Sequence, residues 1–126
     1  MSRPSGPAPQ QWVGTSMQAG DVVEVDFGTP LGSEAGLMRP AVLVTSSVIL
    51  RQDPRTFQVV PLTTNVERDL PYELRLESWR PPSVAQCHLL TTLDRATLTG
   101  KLLGQVGVVD LRRIRELLRD ILDIDE

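Results

Sequence analysis

The sequence predicts a mainly antiparallel β fold of the α+β class, a small barrel or strongly curved sheet carrying one C-terminal amphipathic helix. Three observations lead there. Short apolar stretches with two-residue alternation recur along the chain, segments holding Pro, Asn, Asp or Ser separate them, and a sustained helical period is confined to the last residues. With 126 residues, the chain has room for one domain and a modest core.

Residues 1–18 are rich in Pro, Gly, Ser and Gln without a hydrophobic period, and are read as a flexible leader before a domain spanning residues 19–126. From Val22 the pattern alternates: Val23, Val25 and Phe27 share one face, and Val22, Glu24 and Asp26 the other, as in a half-buried strand. A Gly-containing loop follows over residues 28–38. Pro40 then opens the apolar run Ala41, Val42, Leu43, Val44, a buried strand whose first position needs no ladder donor. Further strands are expected over residues 57–62, 72–77, 85–90 and 102–108. Asp94 is placed to cap a short helical turn by accepting from Ala96 or Thr97. Asp110 is placed to cap a terminal helix in which Leu111, Ile114, Leu117, Leu118, Ile121 and Leu122 recur at helical spacing.

Composition narrows the function classes. One cysteine, Cys87, and one histidine, His88, rule out an intramolecular disulfide and a Cys/His zinc site within one copy; no metal or other cofactor is expected. Neither a membrane span nor a signal peptide is readable, so a soluble cytoplasmic protein is expected. The net charge of −3 is concentrated at the end: Asp120, Asp123, Asp125 and Glu126 leave residues 1–119 at about +1, a body that RNA can approach. Arg112, Arg113, Arg115 and Arg119 are read as a solvated helix face, with i, i+4 pairs from Arg112 to Glu116 and Arg119 to Asp123.

Three stretches resemble the MazF/PemK family of type II toxin–antitoxin toxins. The first is GDVVEVDFGTPLGSEAGLMRP over residues 20–40; the second is VVPLTTN over 59–65, followed by LPYELRL over 70–76; the third is Leu93-Asp94 with LGQVG over 103–107 and the helix beyond. The resemblance implies an SH3-like barrel with added helices, a homodimer, and sequence-specific cleavage of single-stranded RNA, with mRNA as the substrate class and rRNA or tRNA as alternatives. It also implies a cognate antitoxin as partner. By position, Glu34, Arg39 and Thr63 fall where family catalysis is thought to reside. Where many members have Glu-Gln-x-Arg-x-x-Asp, this chain has His88-Leu89-Leu90-Thr91-Thr92-Leu93-Asp94, a departure that bears on RNA preference.

RNA can be cut without a metal when the neighbouring 2′-hydroxyl attacks, leaving a 2′,3′-cyclic phosphate and a 5′-hydroxyl. The protein must then provide a base, positive charge at the phosphate and in-line alignment. Glu34 suits the base, Arg39 a phosphate clamp with a planar fork, and Thr63 an orienting hydroxyl. Ser33, Thr64, Asn65, Trp79 and His88 are the candidates for contacting RNA, Trp79 as the preferred stacking platform over Tyr72 and Phe57. The competing function is a CcdB-like toxin that blocks a protein target such as DNA gyrase without cutting RNA. A degenerate toxin that binds antitoxin but no longer cuts is a third reading.

Overall fold

In the computed structural model the described residues are 6–11, 17–28, 38–67 and 70–125, the first of these segments by its backbone. Eight strands and two helices run among them: β1 (Gly6–Gln11), β2 (Asp21–Asp26), β3 (Met38–Leu43), α1 (Ser47–Leu50), β4 (Thr56–Thr63), β5 (Glu73–Arg75), β6 (Val84–Gln86), β7 (Thr91–Asp94), β8 (Leu98–Gln105) and α2 (Val108–Ile121). All pairings are antiparallel, in the order β1-β8-β2-β3-β4-β6-β5, with β7 also on β4. The sheet curves without closing. Part of the bend lies in β8, where Val22 faces Gly104 but Val23 already faces Leu102, so an extra residue bulges out beside Gly104 at φ +149.

Both faces of the central strands are buried, which explains why their sequences are apolar beyond simple alternation. Val22, Val42, Val60 and Leu62 join Ile114 and Leu118 of α2 in one cluster; Val23, Val25, Ala41, Leu43, Phe57 and Val59 join Leu50 of α1 and Met17 in the other. Each fully buried aliphatic side chain of this kind contributes about 1.5–3 kcal/mol. Gly20 links β2 to its neighbours at φ +92, donating to the Leu43 carbonyl at 2.7 Å and accepting from Val106 at 2.9 Å.

Several boundaries differ from the sequence reading for local reasons. Within the segment read as a leader, Gly6–Gln11 pairs with β8 at the sheet edge, a place that asks for backbone pairing and no hydrophobic period. Pro40 lies inside β3 rather than at its start. The strand expected over 85–90 stops at Gln86, and Cys87–Leu89 forms a 3-10 turn before β7, which the sequence did not suggest. Asp94 accepts from Ala96 at 2.8 Å, as its position indicated.

Asp110 is not the cap of α2. Gly107 holds that position, and Asp110, 1% exposed, reaches instead to a distant loop. Its carboxylate accepts from the N–H of Glu77 (3.0 Å), the N–H of Ser78 (2.9 Å) and the Ser78 hydroxyl (2.6 Å), and pairs with Arg113 at 3.2 Å. The Ser78 Oγ in turn accepts from the Gly107 N–H at 3.0 Å, and a Cβ at Gly107 would press on it at 3.0 Å. The start of α2 is thereby keyed to the loop that leads into β6. On the same helix Arg115 donates to the Val44 carbonyl at 3.1 Å. No helix among the described residues is long and apolar enough to cross a membrane.

Candidate active site

β3 and β4 lie side by side, and their register builds the site. Ala41 faces Pro61, so the same register carried two residues further sets Arg39 level with Thr63. The Val44 N–H donates to the Gln58 carbonyl at 3.0 Å, which fixes Val42/Val60 and then Pro40/Leu62 as the hydrogen-bonding positions of this antiparallel pair. Pro40 has no N–H to give. The Leu62 carbonyl is thus left without its ladder donor, and Arg39 Nη2 supplies one at 3.1 Å. This gives the Arg39-Pro40 dipeptide a physical meaning: the proline releases an acceptor that the arginine beside it takes up.

The same Nη2 donates to Gln86 Oε1 at 2.5 Å, so the guanidinium crosses β4 and bridges three strands. With both acceptors on one nitrogen, Nη1 and Nε are the donors that face no protein acceptor among the described residues. The free parallel fork expected from sequence is therefore partly engaged. Ion pairs among the described residues involve Arg55, Arg95, Lys101 and Arg113, and none involves Arg39. Its charge is held in place by neutral groups.

Thr63 ends β4, half-buried, and its Oγ1 accepts from the Asn65 N–H at 3.1 Å, which tightens the turn and leaves the hydroxyl proton to donate elsewhere. Thr64 and Asn65 are exposed beside it. Glu34 and Ser33 lie outside the described residues. Across the sheet, His88 is exposed on the 3-10 turn that follows Gln86, with its ring 5.9 Å from that of Tyr72, which is 51% exposed. Those two rings are open to a ligand. Trp79 is not: it is 4% exposed and belongs to the cluster with Ile114 and Leu118, and a ring enclosed in the core has no face for a base. Phe57 is likewise fully buried.

Cys87 is no nucleophile in this setting. Burial, aided by the charge of Glu73, pushes its thiol up to about 12, so the thiolate is negligible near neutrality. The polar residue that sequence reasoning passed over is Gln86, 5% exposed within the otherwise apolar run from Val84 to Cys87. A polar side chain in such a run was the available signal.

A curved antiparallel sheet backed by a C-terminal helix is the fold of the MazF toxins. A solved endoribonuclease in complex with its cognate antitoxin from a Mycobacterial species superposes with a TM-score of 0.72 at 20% identity, over 88% of this chain and 99% of that one. MazF from Deinococcus radiodurans gives 0.71 at 23% identity, over 86% and 98%. In sequence the chain is 29% identical over 115 residues to endoribonuclease MazF9 of Mycobacterium tuberculosis (strain ATCC 25618 / H37Rv), covering 86% of this chain and 98% of the relative. The family model for the PemK-like, MazF-like toxins of type II toxin–antitoxin systems matches residues 18–122, and the chain belongs to that family.

Proposed function

We propose that this protein is an endoribonuclease toxin that cuts single-stranded RNA at a defined sequence, without a metal, and that a cognate antitoxin restrains it in the cytoplasm. The observation that carries this is Arg39: a guanidinium tied down by Leu62 and Gln86, level with Thr63 if the β3–β4 register is extended, and in no ion pair with a carboxylate among the described residues. Support comes from the MazF9 relative, named an endoribonuclease, and from the Mycobacterial endoribonuclease solved with its antitoxin.

In this reading the RNA supplies the nucleophile. Glu34 takes the proton of the 2′-hydroxyl, the 2′ oxygen bonds to phosphorus, and the bond to the 5′ oxygen breaks; that oxygen takes a proton from solvent, and Glu34 returns its own to solvent. The products are a 2′,3′-cyclic phosphate and a 5′-hydroxyl. Arg39 donates from a nitrogen that Leu62 and Gln86 leave open, Nη1 or Nε, to a phosphate oxygen, where negative charge builds up at the transition state. A guanidinium gives up a proton only with difficulty, so Arg39 acts through its charge rather than as an acid. Thr63 orients a phosphate oxygen or the 2′-hydroxyl. Ser33, Thr64, Asn65 and His88 line the path of the strand, and two copies of the chain form the working homodimer. The CcdB-like reading is not favoured, since the matching family model is that of PemK and MazF.

The test uses an RNA with a single 2′-deoxy nucleotide immediately 5′ to the scissile phosphate. It should bind nearly as the all-ribose strand does, because one sugar oxygen contributes little to a phosphate-dominated interface, and it should not be cut there. Cleavage of the all-ribose strand should persist in EDTA. Parental cleavage of the deoxy substrate, or loss of activity in EDTA, would show that water or a metal hydroxide attacks.

A further inference from the structure

We infer that Gln86 is the positioning residue for Arg39, a neutral anchor that fixes the guanidinium without cancelling its charge. The inference rests on the reading of Arg39 as the phosphate clamp. Gln86 is the last residue of β6, directly before the backbone turns into the 3-10 segment at φ −90, ψ 76. Its neighbours Ala85 and Val84 are paired with Leu62 and Thr63 of β4, and its own partner on the other side is Glu73 of β5. The side chain therefore stands on a strand held on both edges, and it is 5% exposed.

Arg39 reaches it from two strands away. Adjacent strands are about 4.8 Å apart, so the guanidinium needs an acceptor on the far side of β4 to stay extended over that strand. The Leu62 carbonyl alone leaves it free to swing about one hydrogen bond; a second acceptor on the same nitrogen, at 2.5 Å, fixes the plane. Only the amide oxygen of Gln86 can accept from a guanidinium, so Arg39 also sets which way the amide points.

The chemical identity of the anchor matters. A carboxylate would hold the arginine as well, but its own negative charge would offset the positive field at the phosphate, and the electrostatic stabilisation of a phosphorane depends on that field. A buried amide keeps geometry and charge together. Displacement of a catalytic contact by about 1 Å costs on the order of 10²-fold in rate, so loss of one of two anchors should cost about 10- to 100-fold in kcat.

The experiment is a double-mutant cycle on the purified full-length protein, with kcat and KM measured on a fluorogenic RNA and folding checked by circular dichroism. Gln86→Leu, close in volume and without an acceptor, should lower kcat about 10- to 100-fold and leave KM within about threefold. In an Arg39→Ala background the same change should cost nothing further. Gln86→Glu keeps the shape and accepts the same N–H, and serves should Gln86→Leu not fold; it too should lower kcat by at least about tenfold. A folded variant at either substitution with parental kcat overturns the proposal, as does a Gln86→Leu loss of equal size with and without Arg39. An inactive Arg39→Ala beside a fully active Gln86→Leu overturns the proposal alone. Arg39→Ala cleaving at the parental rate removes the clamp reading, and the proposal with it.

Discussion

Asp110→Ala removes the acceptor on which α2 and the Glu77–Ser78 backbone converge. Two backbone N–H groups lose a charged partner. At the low end of the cost for such groups, because Glu77 and Ser78 both reach solvent, that is about 1–1.5 kcal/mol each. Arg113, about a third exposed, adds no more than the roughly 1 kcal/mol of a surface pair. The sum of about 3 kcal/mol corresponds to a Tm lower by roughly 10 °C for a domain of this size. The loss should also depend on pH in a defined direction. Burial works against the charge of Asp110, but the Ser78 hydroxyl and N–H, the Glu77 N–H and the Arg113 charge together hold its carboxyl below the ordinary value of 3.8. A carboxyl depressed in the folded state contributes stability that is complete above its unfolded pKa and is lost as pH falls through the folded one. Thermal unfolding followed by circular dichroism should therefore show a constant gap between parent and variant above about pH 5, narrowing below about pH 4. A Tm within about 2 °C of the parent at neutral pH, or a gap undiminished in acid, would refute the reasoning.

Arg39→Ala should slow RNA cleavage by about 10²- to 10³-fold while leaving the protein folded, and Arg39→Lys should restore little, because a compact ammonium lacks the planar guanidinium whose separate nitrogens face the anchors and the phosphate; cleavage kinetics on both variants decide it. Glu34→Gln should reduce kcat more than RNA affinity, whereas Thr63→Ala should reduce both modestly; parental cleavage by Glu34→Gln between about pH 6 and 9 would place the base elsewhere. Saturating antitoxin should displace a labelled RNA in a fluorescence titration, since an acidic or amphipathic antitoxin tail and the RNA are expected on the same arginine-bearing surface; a ternary complex with undiminished RNA affinity would separate the two surfaces.

Local chemistry was readable where its partners lie close in sequence. The alternation from Val22 to Phe27, the spacing of Ile114 and Leu118, and the Asp94 turn all depend on neighbours within a few residues. Asp110 shows where this stops. An aspartate at a helix start reads as a cap, yet its real donors are 32 and 33 residues away. The same distance problem hid Gln86, 47 residues from Arg39 in sequence and joined to it by strand order alone. Trp79 misled because a tryptophan flanked by Arg80 and prolines looks like a loop ornament, whereas Asp110 pins the two residues before it and the ring turns into the core. Pro40 was expected at a strand start where no ladder donor is lost; it lies inside β3, and the acceptor that its missing N–H leaves over becomes visible only with the register to β4.

β4 serves two neighbours along one edge: Thr56 to Val59 hold β7, and Leu62 and Thr63 hold β6. Pro61 sits between the two sets, and with no N–H it offers neither ladder a donor by which to extend into the other. The arrangement works like a seam with a gap in its stitching. Loosening or retuning the β5–β6 side, which carries the anchor for Arg39, does not run on into the β7 side and its Asp94 turn. A substitution on the β5–β6 half of the edge can therefore shift the residue that holds Arg39 while the other half keeps its ladder to β7.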